Sequence, residues 1–208
     1  MYRHLFWDLG GTLVDTYPAL DDAFAAVVRE HGHEVELIEV ARLTRRSTGE
    51  AVRTLSQRFG IAPERFEQAN AALKKRWETD PAPAMPGAQE LMARVHAAGG
   101  LNLVVTHRDR ASATDLVQGL GLEVDDLVST CDGHPRKPDP EMYRVLLERH
   151  GLDVAECLAV GDRPIDAEAA HRAGMHAVVL EDPEMPVDDD AEHQVSRLEE
   201  LAGLLGLD

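Results

Sequence analysis

Apolar positions along the chain follow two rhythms. Leu5, Phe6 and Trp7 make a short unbroken apolar run, and Asp8, Gly10, Gly11 and Thr12 follow at once. A continuous run of this length, bounded by turn residues, predicts a strand buried on both faces. After Asp15 the spacing becomes helical. Leu20, Ala23, Phe24, Val27 and Val28 share one helix face, and Gly32 follows its last turn. Residues 35–44 predict a second, short helix. Arg45-Arg46-Ser47-Thr48-Gly49 is a basic turn in which Ser47 or Thr48 is placed to cap a helix carrying Ala51, Val52, Leu55 and Phe59. Pro63 opens another, with Phe66, Ala69, Leu73 and Trp77 on one face. Residues 16–83 thus read as a helical block, punctuated at its end by Pro81, Pro83 and Pro86.

From Gly87 the two rhythms alternate. A helix over 88–97 ends at Gly99-Gly100, and a strand over 101–105 ends at Thr106-His107. A helix over 111–120 and a short strand over 126–130 come next. A loop then carries Arg136-Lys137-Pro138-Asp139-Pro140, where Asp139 can cap a helix with Pro140 in its first position, running to His150. A strand over 157–160 ends at Gly161-Asp162. Pro164 opens a helix that stops near Ala173-Gly174, and 176–180 is another strand. An acidic stretch over 181–192, with Asp188-Asp189-Asp190 as a solvated loop, leads to a last helix over 195–205. This repetition predicts an α/β class fold: a Rossmann-like, mainly parallel sheet with helices on both faces. Residues 1–15 and 84–208 form that core, and 16–83 form an all-helical domain inserted after strand 1.

Composition narrows the function classes. The 208 residues are 44% hydrophobic, ordinary for a globular chain. No apolar run approaches the roughly 20 residues that span a membrane, and the first run lacks the flanks of a signal peptide. A cytoplasmic protein with no membrane partner is expected. The net charge of -17 repels nucleic acid and anionic surfaces. An enzyme for anionic substrates would then need local positive charge, and the lysines are confined to Lys74, Lys75 and Lys137. Cys131 and Cys157 make no disulfide framework and have no zinc-ligand spacing; Cys157 reads as a small core residue.

Polar groups stand at successive strand ends: Asp8, Thr106, Lys137 on the loop after its strand, and Asp162 with Asp166 four residues on. In a parallel sheet all carboxyl ends meet at one edge, where such folds bind ligands. The set resembles the haloacid dehalogenase superfamily over nearly the whole chain. Its four motifs are Asp8-Leu9-Gly10-Gly11-Thr12, Val105-Thr106, Lys137-Pro138-Asp139-Pro140 and Gly161-Asp162-Arg163-Pro164-Ile165-Asp166. The insert looks like the helical cap of the subfamily that includes phosphoglycolate phosphatase and β-phosphoglucomutase.

The resemblance implies a Mg2+-dependent phosphatase for a small phosphorylated metabolite, working through an aspartyl phosphate as monomer or homodimer. Asp8 would be the nucleophile, with Thr106 and Lys137 also catalytic. Asp8, Gly10 through its carbonyl, Asp162 and Asp166 would form the metal site. Gly11, Thr12, His107 and Arg163 would line the substrate, and Arg45 and Thr48 would read it from the cap. One position departs from the pattern. Phosphatases of the family carry a second aspartate two residues after the nucleophile, as acid and then base; here it is Gly10. Three readings follow: a hydrolase with atypical or weak acid/base catalysis, which uses another acid/base, with His107 as a candidate, or acts on substrates with good leaving groups; a catalytically impaired phospho-ligand binder or interaction protein; or a phosphonatase-like C–P hydrolase. The last would need a cap lysine, and Lys74 and Lys75 sit beside Arg76 on a helix that reads as solvated.

Overall fold

In a computed structural model the described residues are all but 183–184, 187–188 and 208, so Asp188 of the acidic run lies outside them. The chain divides into two compact units, Asp15–Ala82 and Met1–Val14 with Pro83–Asp208.

The helical unit holds α1 (Tyr17–Glu30), α2 (Leu37–Arg46), α3 (Thr48–Phe59) and α4 (Pro63–Arg76). Phe24 of α1 and Phe66 of α4 meet edge to face at 5.4 Å in its core. Helix α2 runs two residues past the expected end. It stops only where Ser47 becomes extended, and the Ser47 hydroxyl there accepts the Glu50 N–H at 3.0 Å to begin α3. The turn between α2 and α3 is therefore a single residue.

The α/β unit contains β1 (His4–Trp7), α5 (Ala88–Ala97), β2 (Asn102–Thr106), α6 (Arg110–Gly119), β3 (Asp126–Ser129), α7 (Glu141–His150), β4 (Cys157–Gly161), α8 (Pro164–Ala173), β5 (His176–Leu180), β6 (His193–Val195) and α9 (Leu201–Leu205). The strands form one sheet in the order β3-β2-β1-β4-β5-β6, and every pairing is parallel. The Rossmann-like arrangement is as expected. The central strands β1, β2 and β4 are buried along their full length, which explains their unbroken apolar runs. One core layer joins Phe6, Leu103 and Val105 of the sheet to Met142, Tyr143 and Leu146 of α7.

Two local expectations change. The chain over 195–205 is not one helix. His193–Val195 is an edge strand in register with Val178, Val179 and Leu180, followed by a 3₁₀ turn and the short α9. Three residues are too few to print an alternation, and only pairing with β5 fixes them as a strand. Asp139 does accept the Glu141 N–H at 2.9 Å, but Pro140 lies just outside α7. Among the described residues, no helix is long and apolar enough to cross a membrane.

Candidate active site

Chain order on the sheet brings the site together. The strands on either side of β1 are β2 and β4, so the chain crosses from one side of β1 to the other, and α/β sheets bind ligands at such a reversal. Asp8 follows β1, Thr106 ends β2, and Asp162 follows β4. The turn after Asp8 is closed by the Leu13 and Val14 N–H groups, both bonded to the Leu9 carbonyl. The left-handed backbone in it falls on Gly11, with φ of 93°, a conformation that favours glycine.

Lys137 is the centre of the cluster. Its side chain is fully buried, and Nζ lies 2.5 Å from Asp8 Oδ1 and 2.5 Å from Asp166 Oδ1. It also donates to the Val105 carbonyl at 3.2 Å. Burial alone would lower the lysine, but the Asp166 and Asp8 charges outweigh it and hold the ammonium above its usual range. Burial pushes Asp8 up, while Lys137 pulls it back. Burial raises Asp166 too, but there Lys137 and Arg163 win and keep it below the usual range. The second Asp166 oxygen accepts the Arg163 N–H at 3.2 Å. Asp162 accepts the Thr12 hydroxyl at 3.1 Å.

Carboxylate oxygens of Asp8, Asp162 and Asp166 lie within 4.8 Å of one another. The three carboxylates stand against the Lys137 ammonium, and the charges of Arg163 and Arg108 also act on Asp8. Hard oxygen donors at this spacing fit a hard dication such as Mg2+.

These strand ends belong to a recognisable profile: that of haloacid dehalogenase-like hydrolases matches residues 2–174. The chain belongs to that family. This hydrolase is 32% identical over 194 residues to a phosphoglycolate phosphatase of Rhodospirillum rubrum, covering 86% of this chain and 80% of that one. It is 29% identical over 185 residues to an N-acetylmuramic acid 6-phosphate phosphatase of Pseudomonas putida, covering 86% and 82%. A solved HAD family hydrolase of Deinococcus radiodurans, with bound phosphate and sodium, shares the fold at a TM-score of 0.82 and 21% identity, covering 99% and 97%.

The other expected site residues of the hydrolase fall in two groups. Thr106 is nearly buried, and its Oγ1 accepts the Arg108 N–H at 3.1 Å. Thr12 is fully buried, and Arg163 precedes α8. His107 is part of the α/β cluster, but not as a free imidazole. Its Nε2 accepts the Lys137 backbone N–H at 2.8 Å, and the Arg136 guanidinium faces Nδ1 at 3.0 Å. Burial, then Lys137 and Arg136, depress it to about 3. The Nε2 of His107 is thus already bonded to the Lys137 backbone. Arg45 and Thr48 belong to the helical unit. Arg45 donates to Asp21 at 3.0 Å and stacks 3.8 Å from the Tyr17 ring centre; Thr48 begins α3.

Two features of this region go beyond sequence reasoning. Gly161 admits Asp166: a Cβ at Gly161 would stand 2.3 Å from the Asp166 Cβ. Tyr143 is fully buried against Phe6, its hydroxyl has no hydrogen-bond partner among the described residues, and burial raises its phenol. Only the Gly161-Asp162 motif hinted at the first; nothing in the local pattern marks Tyr143.

Proposed function

We propose that this hydrolase is a phosphatase for a small phosphorylated metabolite, with Asp8 as the nucleophile. The observation that carries the reading is the fully buried Lys137 bridging Asp8 and Asp166, with Asp162 alongside. The names of its relatives, phosphatases of phosphoglycolate and of N-acetylmuramic acid 6-phosphate, support phosphatase activity on a small phosphorylated metabolite, whichever its leaving group. In this reading Asp8 attacks phosphorus and forms an acyl phosphate, which water then cleaves. Lys137 holds one Asp8 oxygen and leaves the other to attack. The Thr106 hydroxyl, which accepts the Arg108 N–H, has its hydrogen to give to a phosphoryl oxygen. Asp166 positions Lys137.

Asp8, Asp162 and the Gly10 carbonyl would hold Mg2+, whose charge would offset that of the phosphoryl oxygens and the carboxylates. The helical unit is the cap in this reading, with Arg45 and Thr48 reading the substrate, and Gly11, Thr12, His107 and Arg163 lining the phosphoryl site.

One observation favours a second reading, a phospho-ligand binder with little turnover: Gly10 has no side chain with which to serve as acid or base. Phosphate release from 4-nitrophenyl phosphate, with and without Mg2+, separates the two. The phosphatase reading expects Mg2+-dependent release that Asp8→Asn abolishes. Equal inactivity of the wild type and Asp8→Asn would leave the binder.

A further inference from the structure

We infer that the hydrolase acts on phosphoryl donors whose leaving oxygen departs as a stable anion, such as acyl phosphates, enol phosphates and phosphoanhydrides, rather than on alkyl phosphate esters. The inference rests on the phosphatase reading and extends it to the chemistry of the leaving group.

Among the described residues, proton donors are scarce at the strand ends of the α/β unit. Asp8 is committed as the nucleophile. Asp166 has one oxygen on Lys137 and the other on the Arg163 N–H. Asp162 sits in the oxygen cluster and accepts from Thr12. The Lys137 ammonium is pinned between two carboxylates. His107 Nε2 accepts the Lys137 N–H and Nδ1 faces the Arg136 guanidinium, so both ring nitrogens are turned to protein groups. The Tyr143 hydroxyl is sealed in the core. Gly10 offers nothing.

Positive charge, by contrast, is plentiful. Lys137 touches Asp8, and the charges of Arg163 and Arg108 also act on the Asp8 carboxylate. Such a site stabilises an anion but does not hand over a proton.

The step balances without an acid. An Asp8 oxygen forms a bond to phosphorus, and the bond from phosphorus to the leaving oxygen breaks, its electron pair staying on that oxygen. A phosphoester dianion and a carboxylate thus give an acyl phosphate dianion and one leaving anion. A carboxylate, enolate or phosphate leaves this way readily. An alkoxide is too basic to leave without a proton. Water then attacks phosphorus, restoring the Asp8 carboxylate and releasing dihydrogen phosphate. With no base to take the proton of that water, the second step is slow, and the aspartyl phosphate accumulates.

The test measures kcat/KM for acetyl, 4-nitrophenyl, phenyl and ethyl phosphate with Mg2+ and the wild-type chain. The expected result is a steep fall along that series. Acetyl phosphate should exceed ethyl phosphate by at least ~10²–10⁴-fold, the usual worth of a general acid. A burst of leaving group should precede steady turnover on the fast substrates, and kcat should level off there because all share one intermediate. Gly10→Asp should raise the ethyl phosphate rate and remove the burst. Phosphate release with kcat/KM independent of the leaving group would overturn the inference and keep the phosphatase reading. No release from any member of the series would overturn both.

Discussion

His107 illustrates how a single residue changes meaning with its bonds. Directly after Thr106 it has the position of a catalytic base, yet its Nε2 is occupied by the Lys137 N–H at 2.8 Å. With the ring depressed to about 3, it does not change state between about pH 5 and 8, where an unperturbed histidine would. His107→Ala should therefore lower activity by about tenfold or less, the scale of one hydrogen bond. The shape of the pH–rate profile should stay the same; loss of a limb from that profile would instead make His107 the acid or base. The sign for stability is also fixed. A histidine depressed on folding resists the proton that the unfolded chain takes up near its usual value of about 6.5. Its contribution is present above that value and fades as pH falls below it, so the Tm of His107→Ala should decline less steeply on acidification than that of the wild type.

Gly161 is a second case. Any Cβ there meets the Asp166 Cβ at 2.3 Å, and neither atom can swing aside. Gly161→Ala should displace Asp166, loosen Lys137 and reduce kcat by more than tenfold, as small misplacements near the chemistry commonly do. Wild-type kcat in a folded Gly161→Ala protein would refute that role. Glycine at the end of a strand was legible in the sequence; the close approach it serves was not, because it joins two residues across a turn.

At the scale of elements, β1 and β2 are joined by more than their ladder. Trp7 Nε1 donates to Asn102 Oδ1 at 3.1 Å, and Asn102 Nδ2 donates to the Met92 carbonyl at 3.0 Å, all in fully buried surroundings. The network ties α5 to β2 and holds the residue just before Asp8. Asn102→Leu keeps the volume but strands both partners, at about 1–3 kcal/mol for each. Calorimetry should show a Tm lower by several degrees, given roughly 2–4 °C per kcal/mol at this chain length. An unchanged Tm would mean that water replaces the lost bonds. The strands themselves were legible because buried parallel strands are continuous apolar runs. Strand β6 was not, since a three-residue edge strand is defined by its neighbour β5 and not by its own pattern.

Across the whole molecule, a chain of net charge -17 has few lysines, and Lys137 is the one that the fold buries between carboxylates. Convergence of the strand ends was legible because a parallel sheet leaves its carboxyl ends one place to meet. Which groups pair there was not, since pairing depends on side-chain direction. The account's central claim is that Asp8 carries the phosphoryl group covalently. Intact-protein mass spectrometry after mixing with acetyl phosphate and Mg2+, followed by an acid quench, tests it most directly. The account predicts one phosphoryl adduct, mapped to Asp8, in the wild type and none in Asp8→Asn. An equal adduct in Asp8→Asn, or phosphate release from the wild type with no adduct at any quench time, would contradict it.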